Sequence, residues 1–284
     1  MTLPTKSAMN PEEFRLIQEF VNERFGLVLD ENKAGSLAIK LAPRLDDLHL
    51  GTIADYYYHL KFSPDNRTEH LNFISLLTNN ETYFFREDAQ LKVFSDSILS
   101  FLKENRMRQK DRRIRIVSAG CSSGEEAYTL AMLLLESGQF VWEWDVQIVG
   151  IDIDPAVIAK AEAGLYGGRA LSVTPPQLLE RYFRKEGDCY RVKEVLQRIT
   201  SFRQGNLLEF GDHFAEDSLD IIFCRNVIIY FNDSTVQKTV EGFARALRPD
   251  GYLFLGHSES LARITKIYEP LRFPGAVIYK MRDR

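Results

Sequence analysis

Residues 113–154 read RIRIVSAGCSSGEEAYTLAMLLLESGQFVWEWDVQIVGIDID. Ile114, Ile116 and Val117 form a short apolar run of the kind that makes a buried strand. Gly120 and Gly124 then bracket a turn where backbone can approach a ligand with no Cβ in the way. Beyond it Leu130, Leu133 and Leu134 recur at helical spacing, so a helix with one apolar face starts near Ser122 or Ser123, either of which can cap it. A second strand, 146–151, ends at Asp152. Strand, glycine turn, helix and acid-terminated strand together build a nucleoside pocket at the carboxyl ends of a parallel sheet, with the acid placed to accept both ribose hydroxyls.

The ligand class follows from what the turn lacks. It has no G-x-G-x-x-G spacing, and Glu125 and Glu126 open the helix where a pyrophosphate would be repelled. A phosphate-free adenosine carrying positive charge fits better, and S-adenosylmethionine is such a ligand. Taken singly, either glutamate could equally be complementing the helix dipole.

The chain has 284 residues and 45% hydrophobic content, enough for one large domain or two unequal ones. No apolar run reaches membrane-spanning length and the start, MTLPTKSAMN, lacks a signal-peptide core, so a cytoplasmic protein is expected. Cys121, Cys189 and Cys224 are too scattered for a disulfide framework and form no C-x-x-C pair, which predicts reduced thiols and no metal. A net charge of −4 argues against bulk electrostatic binding of nucleic acid. Lys33, Lys40 and Arg44 share a face if their segment is helical, a stripe that could grip an acidic partner or simply be solvated.

Residues 1–78 carry helical patterns, at 14–25, 35–48, 52–60 and 65–77, and predict a small all-helical domain. Residues 79–90 read as a linker that contributes to the cofactor site, its Tyr83, Phe84 and Phe85 docking the two domains. The catalytic domain is expected over 91–284. Inside it, 182–202 alternates in short pieces around Gly187–Asp188 and predicts a β-meander inserted into the main sheet. That sheet resumes at 219–224 and closes with strands at 252–256 and 276–281, the last pair antiparallel.

Five segments, NETYFFRE (80–87), AGCSSGEEAY (119–128), GIDID (150–154), QGNLLEF (204–210) and FCRNVIIYF (223–231), follow in that order behind the helical domain. The ordered set resembles the CheR chemoreceptor glutamate methyltransferases over essentially the whole chain. The resemblance implies an α/β fold: a class I methyltransferase-like doubly wound sheet with an N-terminal all-helical domain and a small inserted antiparallel β-subdomain. It implies methyl transfer from S-adenosylmethionine to glutamate carboxylates of methyl-accepting chemotaxis receptors in chemosensory adaptation, leaving γ-methyl esters and S-adenosylhomocysteine. By the same resemblance, cofactor contacts fall on Asn80, Thr82, Arg86, Glu125, Asp152, Asn206, Leu207, Asn226 and Val227, beside Gly120 of the turn. Arg86 and Tyr230 are expected to face the reacting centre, with Arg86 holding either the acceptor carboxylate or the cofactor's own. Receptor docking is expected through Lys33, Lys40 and Arg44 and through 182–202, whose short KEGDC connection suggests recognition without a receptor-tail peptide. A monomer is expected.

The chemistry needs no base, because a glutamate with a pKa of about 4.3 is already an anion at neutral pH. His257 in GHSES is therefore a weaker catalytic candidate than a structural one. A cofactor-sensing adaptor without turnover, a small-molecule or RNA methyltransferase and a nicotinamide oxidoreductase are the competing readings.

Overall fold

A computed structural model describes residues 9–64, 66–78, 80–140 and 143–282. The predicted helix start at 65 and linker start at 79 lie outside the described residues, as do the first eight residues of the N-terminal decapeptide. Contacts divide the chain into two units, one of residues up to 79 with 230–235, the other of 80–229 with 236–284.

The helical unit contains α1 (Pro11–Phe25), α2 (Ala34–Asp47), α3 (Ile53–Phe62) and α4 (Asn66–Leu77). Its boundaries follow from local chemistry. Asn10 and Glu13 form a reciprocal capping box at the start of α1, and Gly26 ends it at φ 74°. Thr52 and Asp55 repeat the box on α3. Phe14, Ile17, Phe20 and Val21 line the buried face of α1, and Phe20 meets Phe25 edge-on at 6.0 Å.

The sheet unit begins with α5 (Asp88–Val93), which runs through a π turn at Phe94–Ile98 into α6 (Leu99–Arg108). Its strands are β1 (Arg113–Ala119), β2 (Asp145–Asp152), β3 (Leu165–Tyr166), β4 (Phe183–Glu186), β5 (Cys189–Val192), β6 (Thr200–Gln204), β7 (Leu219–Cys224), β8 (Leu247–Leu255), β9 (Tyr268–Phe273) and β10 (Ala276–Met281). Between them come α7 (Glu125–Glu136), α8 (Pro155–Ala163), α9 (Pro176–Tyr182), α10 (Glu194–Gln197), α11 (Phe210–His213) and α12 (Asp233–Ala246), the last beginning among the residues grouped with the helical unit. The main sheet has the order β6-β2-β1-β7-β8-β10-β9. Its first five strands are parallel, and β10 runs antiparallel to both β8 and β9. Strand β7 is buried at every position, as a parallel strand covered on both faces must be.

One expectation about the strands changes. Thr200–Gln204 does not belong to the inserted subdomain: it pairs in parallel with β2, from Ile148↔Thr200 to Asp152↔Gln204, and forms an edge of the main sheet. The small antiparallel sheet is β3-β5-β4 and recruits Leu165–Tyr166 from upstream. Alternation identifies a strand but not its partner. Here the partner is selected by Phe202, whose ring fills the space above Gly150 and Gly124. Phe84 is fully buried within the sheet unit, edge-on to Tyr166 at 4.9 Å and Phe183 at 5.2 Å.

Candidate active site

The carboxyl ends of β1, β2, β6 and β7 meet the start of α7. The turn after β1 is tied across to β2, with Gly120 and Cys121 donating their N–H groups to the Ile151 carbonyl at 2.8 and 3.1 Å. Asp152 completes the lacing. Its carboxylate accepts the N–H of Ser122 at 2.8 Å and of Asp154 at 3.0 Å, while its carbonyl accepts Gly205 N–H at 2.8 Å. The turn needs left-handed backbone at Gly120 (φ 76°), Ser122 (φ 48°) and Gly124 (φ 94°).

Neither serine caps α7. Gly124 holds the cap position without a side-chain bond, because Ser122 Oγ donates to the Asn80 carbonyl at 3.1 Å and Ser123 Oγ donates to Glu125 at 2.8 Å. The glycines are also closely hemmed in by protein side chains. A Cβ on Gly120 would lie 2.4 Å from Val227 Cγ2, and one on Gly124 would lie 2.8 Å from Ala161 Cβ. Both make room for protein side chains, and Gly120 thereby joins Val227 of the post-β7 loop to the turn.

Buried carboxylates dominate the electrostatics at these strand ends. Burial pushes Asp152 up to about 6, against the pull of the Asp154 and Ser122 N–H groups. Burial likewise raises Glu125, outweighing its hydrogen bonds and the charge of Lys160. Asp154 accepts the Asn80 side-chain amide at 2.9 Å and the Ala156 N–H at 2.9 Å, fixing the 80–87 segment beside the β2 end. Burial also raises the Cys121 thiol, which keeps it protonated and unreactive. Each Asp152 oxygen has a further acceptor position. Such an acceptor set fits a ligand that brings hydroxyl donors and positive charge and no phosphate, as S-adenosylmethionine does. Among the described residues, no group of three His, Cys, Asp or Glu is arranged to hold a metal.

The remaining predicted residues are distributed as follows. Asn206 caps the turn after β6, its side chain accepting Leu208 N–H at 3.0 Å, and Leu207 beside it is buried. Thr82 is half-buried. Arg86 donates from Nη1 to the Glu81 carbonyl at 2.9 Å and lies 6.0 Å from the Tyr83 ring, leaving Nε and Nη2 without a partner among the described residues. Asn226 takes φ 60° and donates its side-chain amide to Glu87 at 3.1 Å, leaving its Oδ1 with no donor among the described residues. Tyr230 groups with the helical unit, where its carbonyl accepts the Val28 N–H at 2.8 Å.

Sequence reading overlooked Glu87 and Arg225. Arg225, buried at the end of β7, donates to Glu126 at 2.6 Å and to the Arg86 carbonyl at 2.8 Å, and Glu126 in turn accepts Ser118 Oγ–H at 2.7 Å. A charged residue directly after the apolar strand LDIIFC was the available signal. Burial pushes Glu87 up, but His257, the Arg225 charge and Asn226 together hold it below the usual carboxylate range. His257 is 78% exposed and lies 3.1 Å from Glu87, which makes it a partner of that carboxylate.

In the helical unit the three residues of the basic stripe have different surroundings. Arg44 is committed inward: its Nε donates to both Glu69 oxygens at 2.8 and 2.9 Å, and Tyr56 O–H donates to the same carboxylate at 2.6 Å. Lys40 donates to the Leu76 carbonyl at 2.8 Å, and Lys33 is exposed. An arginine four residues along a helix from a lysine looks the same in sequence whether its partner is solvent or a buried acid.

Residues 80–276 match the family described as CheR methyltransferase, SAM binding domain, and residues 12–78 match CheR methyltransferase, all-alpha domain. Among curated relatives, a Pseudomonas aeruginosa protein named chemotaxis protein methyltransferase 2 is 36% identical over 94% of this chain and 92% of its own length. One of the same name from Vibrio cholerae is 33% identical, covering 92% of this chain and 90% of the relative. The Escherichia coli chemotaxis protein methyltransferase is 34% identical over 94% of this chain and 90% of that protein.

Proposed function

The chain belongs to the CheR family of S-adenosylmethionine-dependent methyltransferases, and from that premise we propose that it methylates glutamate side chains of chemoreceptors in the cytoplasm, giving γ-methyl esters. The observation that carries the assignment of the site is Asp152: a buried carboxylate laced between the β1 turn and β2, with acceptor capacity left for a ribose. When bound, S-adenosylmethionine supplies an electrophilic methyl group. Asp152 accepts the ribose hydroxyls, Asn80, Thr82, Asn206 and Leu207 line the adenosine, and Glu125 and the free Oδ1 of Asn226 face the positively charged end.

An acceptor glutamate is already ionised at neutral pH, so the protein has to orient it rather than deprotonate it. The unpartnered Nε and Nη2 of Arg86 suit a bidentate grip on a carboxylate, and the Tyr230 hydroxyl supplies one further donor. If Arg86 holds the acceptor, Arg86→Ala loses turnover while keeping cofactor affinity. If it holds the cofactor's carboxylate, both fall together.

Docking onto the receptor is assigned to Lys33, Lys40 and the small β3-β5-β4 sheet, with Arg44 removed from the contact set by its bond to Glu69. The tight β4–β5 hairpin, in which Glu186 pairs with Cys189, fits recognition that does not use a receptor-tail peptide. A micromolar affinity for such a peptide would overturn that point. The reaction is tested by incubating the protein with methyl-labelled S-adenosylmethionine and receptor-containing membranes, then treating the product with mild alkali. Release of labelled methanol from a receptor-sized band is expected. Label that survives alkali sits on nitrogen or carbon and excludes an ester.

A further inference from the structure

Asn226 sits in the left-handed region at φ 60°, which a non-glycine residue occupies only when its surroundings hold it there. Its backbone is gripped by Glu259, two residues beyond His257 in the GHSES segment. Glu259, 9% exposed, accepts the N–H groups of Asn226 at 2.9 Å and Gly256 at 2.6 Å on Oε2, and those of Val227 at 3.0 Å and Ile229 at 3.2 Å on Oε1. An ionised carboxylate has about four acceptor positions, and backbone N–H groups use all of them. The loop after β7 is thus wound around one buried side chain.

Gly256 shows how closely the fit is drawn. Its backbone is not left-handed, yet a Cβ there would lie 2.8 Å from Glu259 Oε2 and 2.9 Å from the Asn226 nitrogen. The glycine exists for the carboxylate. The effect also travels: Val227, held by Glu259, seats its side chain against Gly120, and the turn containing Gly120 delivers Ser122 N–H to Asp152.

We infer that Glu259 is the positioning residue of the active site, fixing Asn226 and Val227, and through Val227 the β1 turn, without itself touching cofactor or acceptor. This rests on the reading of Asn226 and Val227 as cofactor contacts. It also gives GHSES its role: the glycine and the glutamate carry the function, and the histidine lies on Glu87.

Glu259→Gln keeps the size but presents an amide donor where two N–H groups need an acceptor. On the full chain we would measure S-adenosylhomocysteine affinity by calorimetry, turnover at saturating cofactor, and thermal unfolding. The expected result is cooperative unfolding, weakened S-adenosylhomocysteine binding and turnover reduced by roughly 100-fold, the scale of a displaced reacting group. Gly256→Ala acts on the same contact and should lower both in the same direction, and the double variant should be no worse than the more severe single one. Wild-type affinity and turnover in both variants overturns the inference, and so does a change confined to the melting temperature. Loss of cooperative unfolding in both also overturns it, since the carboxylate then serves the fold. A wild-type chain that does not bind S-adenosylhomocysteine removes the reading of the site itself, a failure separable from any effect of Glu259.

Discussion

At the scale of single residues, the proposed ribose contact of Asp152 opposes its burial. Its folded value, about 6, lies above the 3.8 of an exposed aspartate because burial disfavours the charge. A raised carboxyl contributes stability that is fully present below pH 3.8 and is lost as pH rises through 6. Urea unfolding of the ligand-free protein against Asp152→Asn should therefore show the stability difference falling by roughly 2 kcal/mol, to the wild type's disadvantage, between about pH 4 and 7. Ribose hydroxyls favour the ionised form, so cofactor affinity has the opposite slope and should weaken about tenfold from about pH 7 to 5. A pH-independent affinity would take Asp152 out of the ribose contact. Gly120 offers a second test. Gly120→Ala meets Val227 at a position that is also left-handed and should cost about 2 kcal/mol. Adding Val227→Ala removes the clash but not the backbone strain, so recovery measured in the same melts should be partial.

At the scale of elements, sequence pattern located most helices and strands, and their partners were decided elsewhere. β6 alternates like the hairpin strands preceding it, yet pairs with β2 because Phe202 covers two glycines. In α2 the helical periodicity was plain, but the destination of Arg44 was not. Burial pushes Glu69 up, while Arg44, Tyr56 and Asn72 together bring it below the usual carboxylate range. A depressed carboxyl stabilises above its unfolded value and loses that contribution as pH falls. Arg44→Ala leaves the buried Glu69 carboxylate with Tyr56 and Asn72 alone and should destabilise by about 2–3 kcal/mol, the scale of removing charged hydrogen bonds from a buried group. A variant that melts like the wild type and loses only receptor binding would return Arg44 to the docking surface.

At the scale of the whole molecule, the chain passes from the helical unit to the sheet unit, returns for 230–235, and leaves again. The anchor of that return is the Val28 N–H on the Tyr230 carbonyl. Val28→Pro deletes the donor. On the proposed role of Tyr230 as a donor to the acceptor, turnover should drop while S-adenosylhomocysteine affinity holds, since the proposed cofactor contacts all lie in 80–227; an equal loss of both would place Tyr230 in cofactor binding. The interleaving also marks the limit of sequence reading. Strand, turn, helix and acid at 113–154, the ordered motifs and the absence of phosphate-binding spacing depend on local periodicity and residue chemistry, and by themselves they determined the fold class, the cofactor class and the family. Which glycine faces which side chain, which serine caps nothing, where Thr200–Gln204 pairs and why GHSES needs its glutamate depend on contacts between residues far apart in the chain. Those were decided only by tertiary structure, because a buried carboxylate's partners here are backbone N–H groups, and backbone leaves no trace in the identity of the residues that donate it.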